Sequence, residues 1–281
     1  MVFLAYLRER FPPGPYALLV ASFYGAGAAF AHRVCRGTPT WWLAPVILLV
    51  FFHLRVFDEH KDYEKDKISH PERLLSRGVV TLRMLKTWGA VAIAAELVLA
   101  AMGGRDVFLW WAAVFAFTLA MRFEFGVGRW LNQHILAYAI THNPVVALLA
   151  VFTWASTYGR WDDRYNWFIW LASTTSLAFE IARKTRLPAE EVPGVESYSS
   201  VHGRERAGTL VYALLAVSAV LTVGALTSFT RDWRFAVPVL AGVLIGRFLT
   251  RAGMPQKKVE LAASLAMLLD FGSLWAGAAF A

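Results

Sequence analysis

Nine stretches of this chain are apolar over about the thickness of a bilayer, and that leaves few folds open. Read in windows of roughly 17 to 25 residues, they fall near 14–32, 40–58, 83–103, 106–123, 135–156, 165–182, 208–228, 235–250 and 259–280. The 281 residues are 57% hydrophobic and only 17% charged, so the solvent for most of them is lipid. The expected fold class is an all-α membrane protein of nine transmembrane helices. The first window is read as a permanent helix, because the run after Arg8 and Arg10 opens with "PPGP" and offers no clean small-residue cleavage site. Residues 1–281 are expected to form a single membrane domain, with no stretch suited to be a linker. A lone cysteine, Cys35, implies no internal disulfide.

A net charge of +8 is compatible with nucleic-acid binding, but its distribution follows topology instead. With nine spans, one side takes the N-terminus and the connections after every second helix, and it collects 21 of the 28 lysines and arginines. The positive-inside rule puts that side in the cytoplasm and the C-terminus outside. The partner implied by composition is a lipid bilayer rather than a nucleic acid. Two connections, about 59–82 and 183–207, are longer than the rest, hold nine of the 20 acidic residues, and lie on the cytoplasmic side. Each follows an apolar helix that turns charged at its end, so the second and sixth helices form a weak internal repeat of the kind seen in bundles of two halves.

The first of these connections is "RVFDEHKDYEKDKISHPERLLSRGVV", from Arg55 to Val80. At about 100° per residue, Asp58, Glu59, Asp62 and Asp66 share roughly a quarter of one helix surface, and Arg55 lies on the same stripe. Like charges at these spacings repel unless a cation sits among them. Hard oxygens converging from one face suit Mg²⁺, which keeps several waters and bridges one or two carboxylates to a substrate's phosphates. The competing interpretation is a solvated segment whose lysines pair with the acids at i+3 and i+4. Position favours the metal, because charge crowded into the end of a membrane helix is costly and marks function.

"DEHKDYEKDKISHPERLLSRGVV" resembles the first signature of the UbiA superfamily of intramembrane prenyltransferases. Asp58 and Glu59 stand at the paired position of that signature, Asp62 and Asp66 at its next two acids, and "HPERLLSRG" at its turn. The resemblance implies a UbiA-like bundle with two cytoplasmic cap loops, and Mg²⁺ as cofactor. It further implies an isoprenyl group moved from a prenyl diphosphate to an aromatic or lipid acceptor. It makes Asp58, Glu59, Asp62 and Asp66 the catalytic and metal-binding acids, with Glu180 as a ligand from the second motif. Arg55, Arg73, Arg122, Arg183 and Lys184 are then the diphosphate-binding set. The second motif, "FEIARKTRLPAEEVPGVESYSSVHG", departs from the family pattern: three residues after Glu180 stands Arg183, and four further stands Leu187. Glu190, Glu191 and Glu196 are the remaining late carboxylates, and Arg183, Lys184 and Arg186 can grip phosphate directly.

The same superfamily resemblance admits two changed reactions, a membrane terpene cyclase and a transferase using phosphoribosyl diphosphate. A transporter is a competitor of a different class, although carriers place ion sites near the midplane and these acids sit at a membrane face. Within the spans, Arg122 either binds diphosphate or snorkels. His142 and Asn143 precede Pro144 and either satisfy backbone groups or meet an acceptor. Glu96 and Asp270 are functional acids or interhelical hydrogen-bonding groups. His53, one turn before Phe57, lines the site or packs.

Overall fold

A computed structural model describes residues 2–281 except Pro193. The described residues form fourteen α-helices and five short 3₁₀ turns, with no β-strand. They divide into two compact units, one running up to Ala21 and over Thr40–Gly126, the other over Ser22–Pro39 and Val127–Ala281.

The first unit holds α1 (Val2–Arg10), the opening turns of α2 (Pro13–Cys35), α3 (Ala44–Lys61), α4 (Tyr63–Ser69), α5 (Leu82–Met102) and α6 (Arg105–Arg122). Proline at the first position of α2 is tolerated because that N–H has no intrahelical partner anyway. α5 starts where Thr81 takes the N-cap, its side chain accepting from the Met84 N–H at 3.2 Å. The core joins Tyr6 and Phe11 to Phe52 and Val56 of α3, to Leu75 and Val80 of the following loop, and to Leu85 and Ala92 of α5. Edge-on rings lock it, with Phe3 against Trp88 at 4.8 Å and Phe11 against Phe52 at 5.4 Å.

The second unit holds the rest of α2 with α7 (Gly128–Leu131), α8 (Ile135–His142), α9 (Pro144–Ala155), α10 (Asn166–Ala182), α11 (Tyr198–His202), α12 (Arg204–Thr227), α13 (Val237–Leu249) and α14 (Gln256–Phe280). Pro144 divides the expected fifth helix into α8 and α9, and the Asn143 amide at the joint donates to the Ser173 carbonyl at 2.9 Å. Small residues carry the packing of α10, α12 and α14: Ala178, Ala182, Ala207, Ala262, Ala263 and Ala266 are all buried in one cluster. In lipid, where apolar burial gives helices no special attraction, such close approach is what holds them. Gly208 is a backbone-limited case, since a Cβ there would run into the Thr250 carbonyl, which cannot rotate away. Gly208→Ala is therefore expected to destabilise the protein by about 1–3 kcal/mol, seen as a lower unfolding midpoint in detergent.

Six helices or helix pairs are long and apolar enough to cross a membrane: Pro13–Cys35, Trp41–Lys61, Leu82–Met102, Ile135–Ala155, Arg204–Thr227 and Gln256–Phe280. An all-helical chain with six such segments is an integral membrane protein. The other three expected spans are helical but shorter or more charged. α6 has 18 residues and includes Arg105, Asp106 and Arg122, α10 has 17, and α13 has 13.

Candidate functional site

In the first unit, α3 carries the apolar run into the acidic motif. It ends at Lys61, bends at Asp62 (φ −95°, ψ 6°) and resumes as α4. The bend keeps the helical hydrogen bonds on either side of it, Asp62 N–H to the Asp58 carbonyl and Asp66 N–H to the Asp62 carbonyl, each at 2.8 Å. Asp58, Glu59, Asp62 and Asp66 thus remain in near-helical register, but their surroundings differ. Asp58 is exposed, Asp62 and Asp66 are half-buried, and Glu59 is 2% exposed.

Two of these acids are held by arginine. Arg10, the last residue of α1, gives its Nε to Glu59 Oε1 at 2.5 Å, and its Nη2 stands 3.8 Å from Asp66. Arg73, in the "HPERLLSRG" turn, donates Nη1 to Asp66 Oδ2 at 2.5 Å. Glu9 completes the clasp from α1 by accepting the Leu74 backbone N–H at 3.1 Å. Neither Arg10 nor Glu9 was legible as a site residue, because each meets the motif about fifty or more positions along the chain and no local pattern relates them. Apart from its backbone bonds Asp62 has no hydrogen-bond or ion-pair partner among the described residues, so its carboxylate makes none. Burial, with Asp58 and Asp66 close by, pushes its carboxyl above the usual aspartate range against the opposing pull of Lys61.

The expected diphosphate-binding cations of this unit take different positions. Arg55 bonds to Tyr16, and lies near Asp58 and Glu59, while its buried Nε meets no acceptor. Arg122 lies over the Phe57 ring at 5.0 Å. One turn further on, Lys61 reaches Glu124 at 3.7 Å.

In the second unit, Glu180 sits at the end of α10 between two cations, with Arg183 at 2.5 Å and Lys184 at 3.0 Å. Lys184 also lies 5.8 Å from the centre of the Tyr138 ring, on whose other neighbour, His142, the ring stacks at 4.0 Å. Arg186 has a buried Nη1 without an acceptor. Two of the three late carboxylates hold the local backbone and side chains together. Glu190 accepts the N–H groups of Leu187 and Gln256, each at 2.9 Å, and these bonds hold its carboxyl below the usual glutamate range. Glu191 accepts from Ser197 at 2.7 Å and Ser199 at 2.8 Å, and Glu196 is exposed. The intramembrane Asp270 is buried and accepts from Ser218 across α12 and α14 at 2.7 Å.

Among the described residues, no three His, Cys, Asp or Glu side chains gather to hold a metal ion unaided. The five expected ligands therefore do not form a cage, and Glu59, Asp66 and Glu180 are already neutralised by guanidinium or ammonium groups. The donor set still fits Mg²⁺ that arrives with phosphate oxygens and water, for which one or two carboxylates suffice. Asp62, whose side chain makes no bond and whose charge burial disfavours, is the group that such a cation relieves.

No family model and no curated protein sequence matches the chain. Solved structures do. A UbiA homologue from Aeropyrum pernix K1 superposes with a TM-score of 0.64 at 16% identity, over 91% of this chain and 96% of that one. A UbiA homologue from Archaeoglobus fulgidus, in a structure bound to DMAPP and Mg²⁺, gives 0.60 at 16% identity over 98% and 99%. A structure described for digeranylgeranylglyceryl phosphate synthase gives 0.62 at 14% over 94% and 97%. At such identities the likeness is one of fold, and the fold of this chain is that of the UbiA homologues.

Proposed function

We propose that the protein is a Mg²⁺-dependent intramembrane prenyltransferase that moves an isoprenyl group from its diphosphate to an aromatic or lipid acceptor. The observation that carries this reading is the pairing of a whole-chain UbiA fold with an acidic motif at a helix end, in which the Asp62 carboxylate makes no hydrogen bond or ion pair to a described residue and its charge is disfavoured by burial. Nine membrane helices, an N-terminus in the cytoplasm and a site at the cytoplasmic face belong to the same proposal, supported by the placement of lysine and arginine along the sequence.

Asp62 and Asp58 would hold the cation, which, when bound, offsets the charge of the departing diphosphate. Arg55 brings an unspent buried N–H to the same region, and Arg122 brings a guanidinium carried on an aromatic face. Such fixed cations stabilise charge that builds on a leaving group without having to reorganise. Within the second unit taken by itself, Arg186 has a buried N–H without an acceptor and Glu180 is paired with Arg183 and Lys184, so this motif is read as a cationic rather than a metal-binding group.

The test is thermal unfolding of the detergent-purified protein with Mg²⁺ and geranylgeranyl diphosphate, separately and together. A ligand at 100 times its Kd adds about 2.7 kcal/mol to stability, so the pair is expected to raise the midpoint beyond either alone. No shift beyond that of Mg²⁺ overturns the reading. Incubation with labelled diphosphate and no acceptor then separates transfer from cyclisation, which releases a hydrocarbon.

A further inference from the structure

The first unit contains a second polar cluster, wholly buried, that the proposed reaction does not use. Glu96 of α5, His53 of α3 and Thr118 of α6 are each 0% exposed, and Trp111 of α6 is 5% exposed. Trp111 Nε1 donates to Glu96 Oε2 at 3.1 Å, and Glu96 Oε1 meets His53 Nδ1 at 2.7 Å. His53 Nε2 stands 3.0 Å from Thr118 Oγ1, whose single hydrogen goes to the Phe115 carbonyl at 2.8 Å. Thr118 must therefore accept from His53, which fixes a hydrogen on Nε2. One further proton lies between His53 and Glu96. Whichever of the two holds it, the pair is neutral overall, and each of its three bonds is satisfied without water.

Such a closed network in lipid is rigid, since no member finds another partner without leaving one unsatisfied. It also sits at the foot of a ladder between α3 and α6. One turn above His53 on α3 is Phe57, its ring 5.2 Å away, and one turn above Thr118 on α6 is Arg122, lying 5.0 Å over that same Phe57 ring. The next rung is Lys61 with Glu124. Phe57 immediately precedes Asp58, so the spacing of this ladder decides where the Arg122 guanidinium stands against the acidic motif.

We propose that Glu96, acting through His53, is a positioning residue for Arg122: the buried pin sets the register of α3 on α6, and with it the placement of a diphosphate-binding cation. This rests on the proposed function in so far as Arg122 binds diphosphate. The amide of Glu96→Gln can accept from Trp111 with its oxygen and donate to His53 Nδ1 with its nitrogen, whereas Glu96→Ala removes both bonds. Thr118→Val keeps the shape of the side chain and strips His53 of its acceptor.

The experiment titrates geranyl diphosphate, in saturating Mg²⁺, into the full-length protein in detergent, and repeats the titration on an Arg122→Ala background. Glu96→Ala and Thr118→Val are each expected to weaken binding about tenfold in the native background and to add nothing further once Arg122 is gone. Glu96→Gln is expected to stay within about twofold of the native protein. Equal losses in both backgrounds, or native affinity in Glu96→Ala, overturn the positioning role while leaving the proposed function standing. If Glu96→Ala does not fold, Thr118→Val carries the same comparison. No binding by the native protein overturns the proposed function itself, and this inference with it.

Discussion

Asp62→Ala is expected to abolish the joint stabilisation by Mg²⁺ and prenyl diphosphate while leaving the ligand-free protein as stable as the native one, or more so. The sign follows from the surroundings of the carboxylate. Its pKa in the folded state is raised, by burial first and by Asp58 and Asp66 next. The ionised form is thus disfavoured by folding, and that cost is absent at low pH and appears as the pH climbs above the ordinary aspartate value. At neutral pH, removing the carboxylate relieves the cost and deletes no bond, since the Asp62 side chain makes none to another described residue and its backbone bonds are kept. A residue kept at a cost to stability is the usual mark of a binding site. Thermal unfolding with and without the ligand pair reads both effects. A variant that loses stability in the absence of ligand yet keeps the ligand shift would make Asp62 structural and refute its assignment.

How far these features could be read from the sequence depends on the range over which each is specified. Apolar length is local, so every expected span coincides with a helix or, around Pro144, with a helix pair. Whether each crosses the bilayer is less local: α13 is only 13 residues long, and a threshold on apolar run alone cannot weigh the helices packed beside it. The acidic motif is legible in its spacing of three and four, which is a property of a single helix. What spacing could not reveal was the division of labour within it. Asp58 and Glu59 are adjacent in sequence, yet one is exposed and the other is 2% exposed beneath α1. That difference comes from Arg10, and pairings over 49 positions leave no periodic trace. The same holds for Glu96 with His53, 43 positions apart, where the sequence offered only the general rule that an intramembrane acid has a partner or a task.

Arg10→Ala is expected to be the most destabilising single change at the acidic motif. Glu59 is 2% exposed, and Arg10 is its hydrogen-bonded cation at 2.5 Å. Breaking a buried pair from one side leaves an uncompensated charge, a loss of about 3–5 kcal/mol, or on the order of 10 °C in the unfolding midpoint for a chain of this size. Arg55 is near enough to Glu59 to attract it but is committed to Tyr16, so it offsets only part of the loss. Adding Glu59→Gln should then recover stability, because the neutral amide no longer needs a cation, whereas Glu59→Gln alone should cost less than Arg10→Ala. This order separates charge neutralisation from packing: if the loss came only from the arginine stem against the α1 core, the second change would recover nothing. It also bears on the metal. In the double variant Asp58 and Asp62 are untouched, so retention of the Mg²⁺ and diphosphate shift would assign Glu59 to anchoring α1. Its disappearance, with Asp62 intact and the fold restored, would return Glu59 to the set of cation ligands.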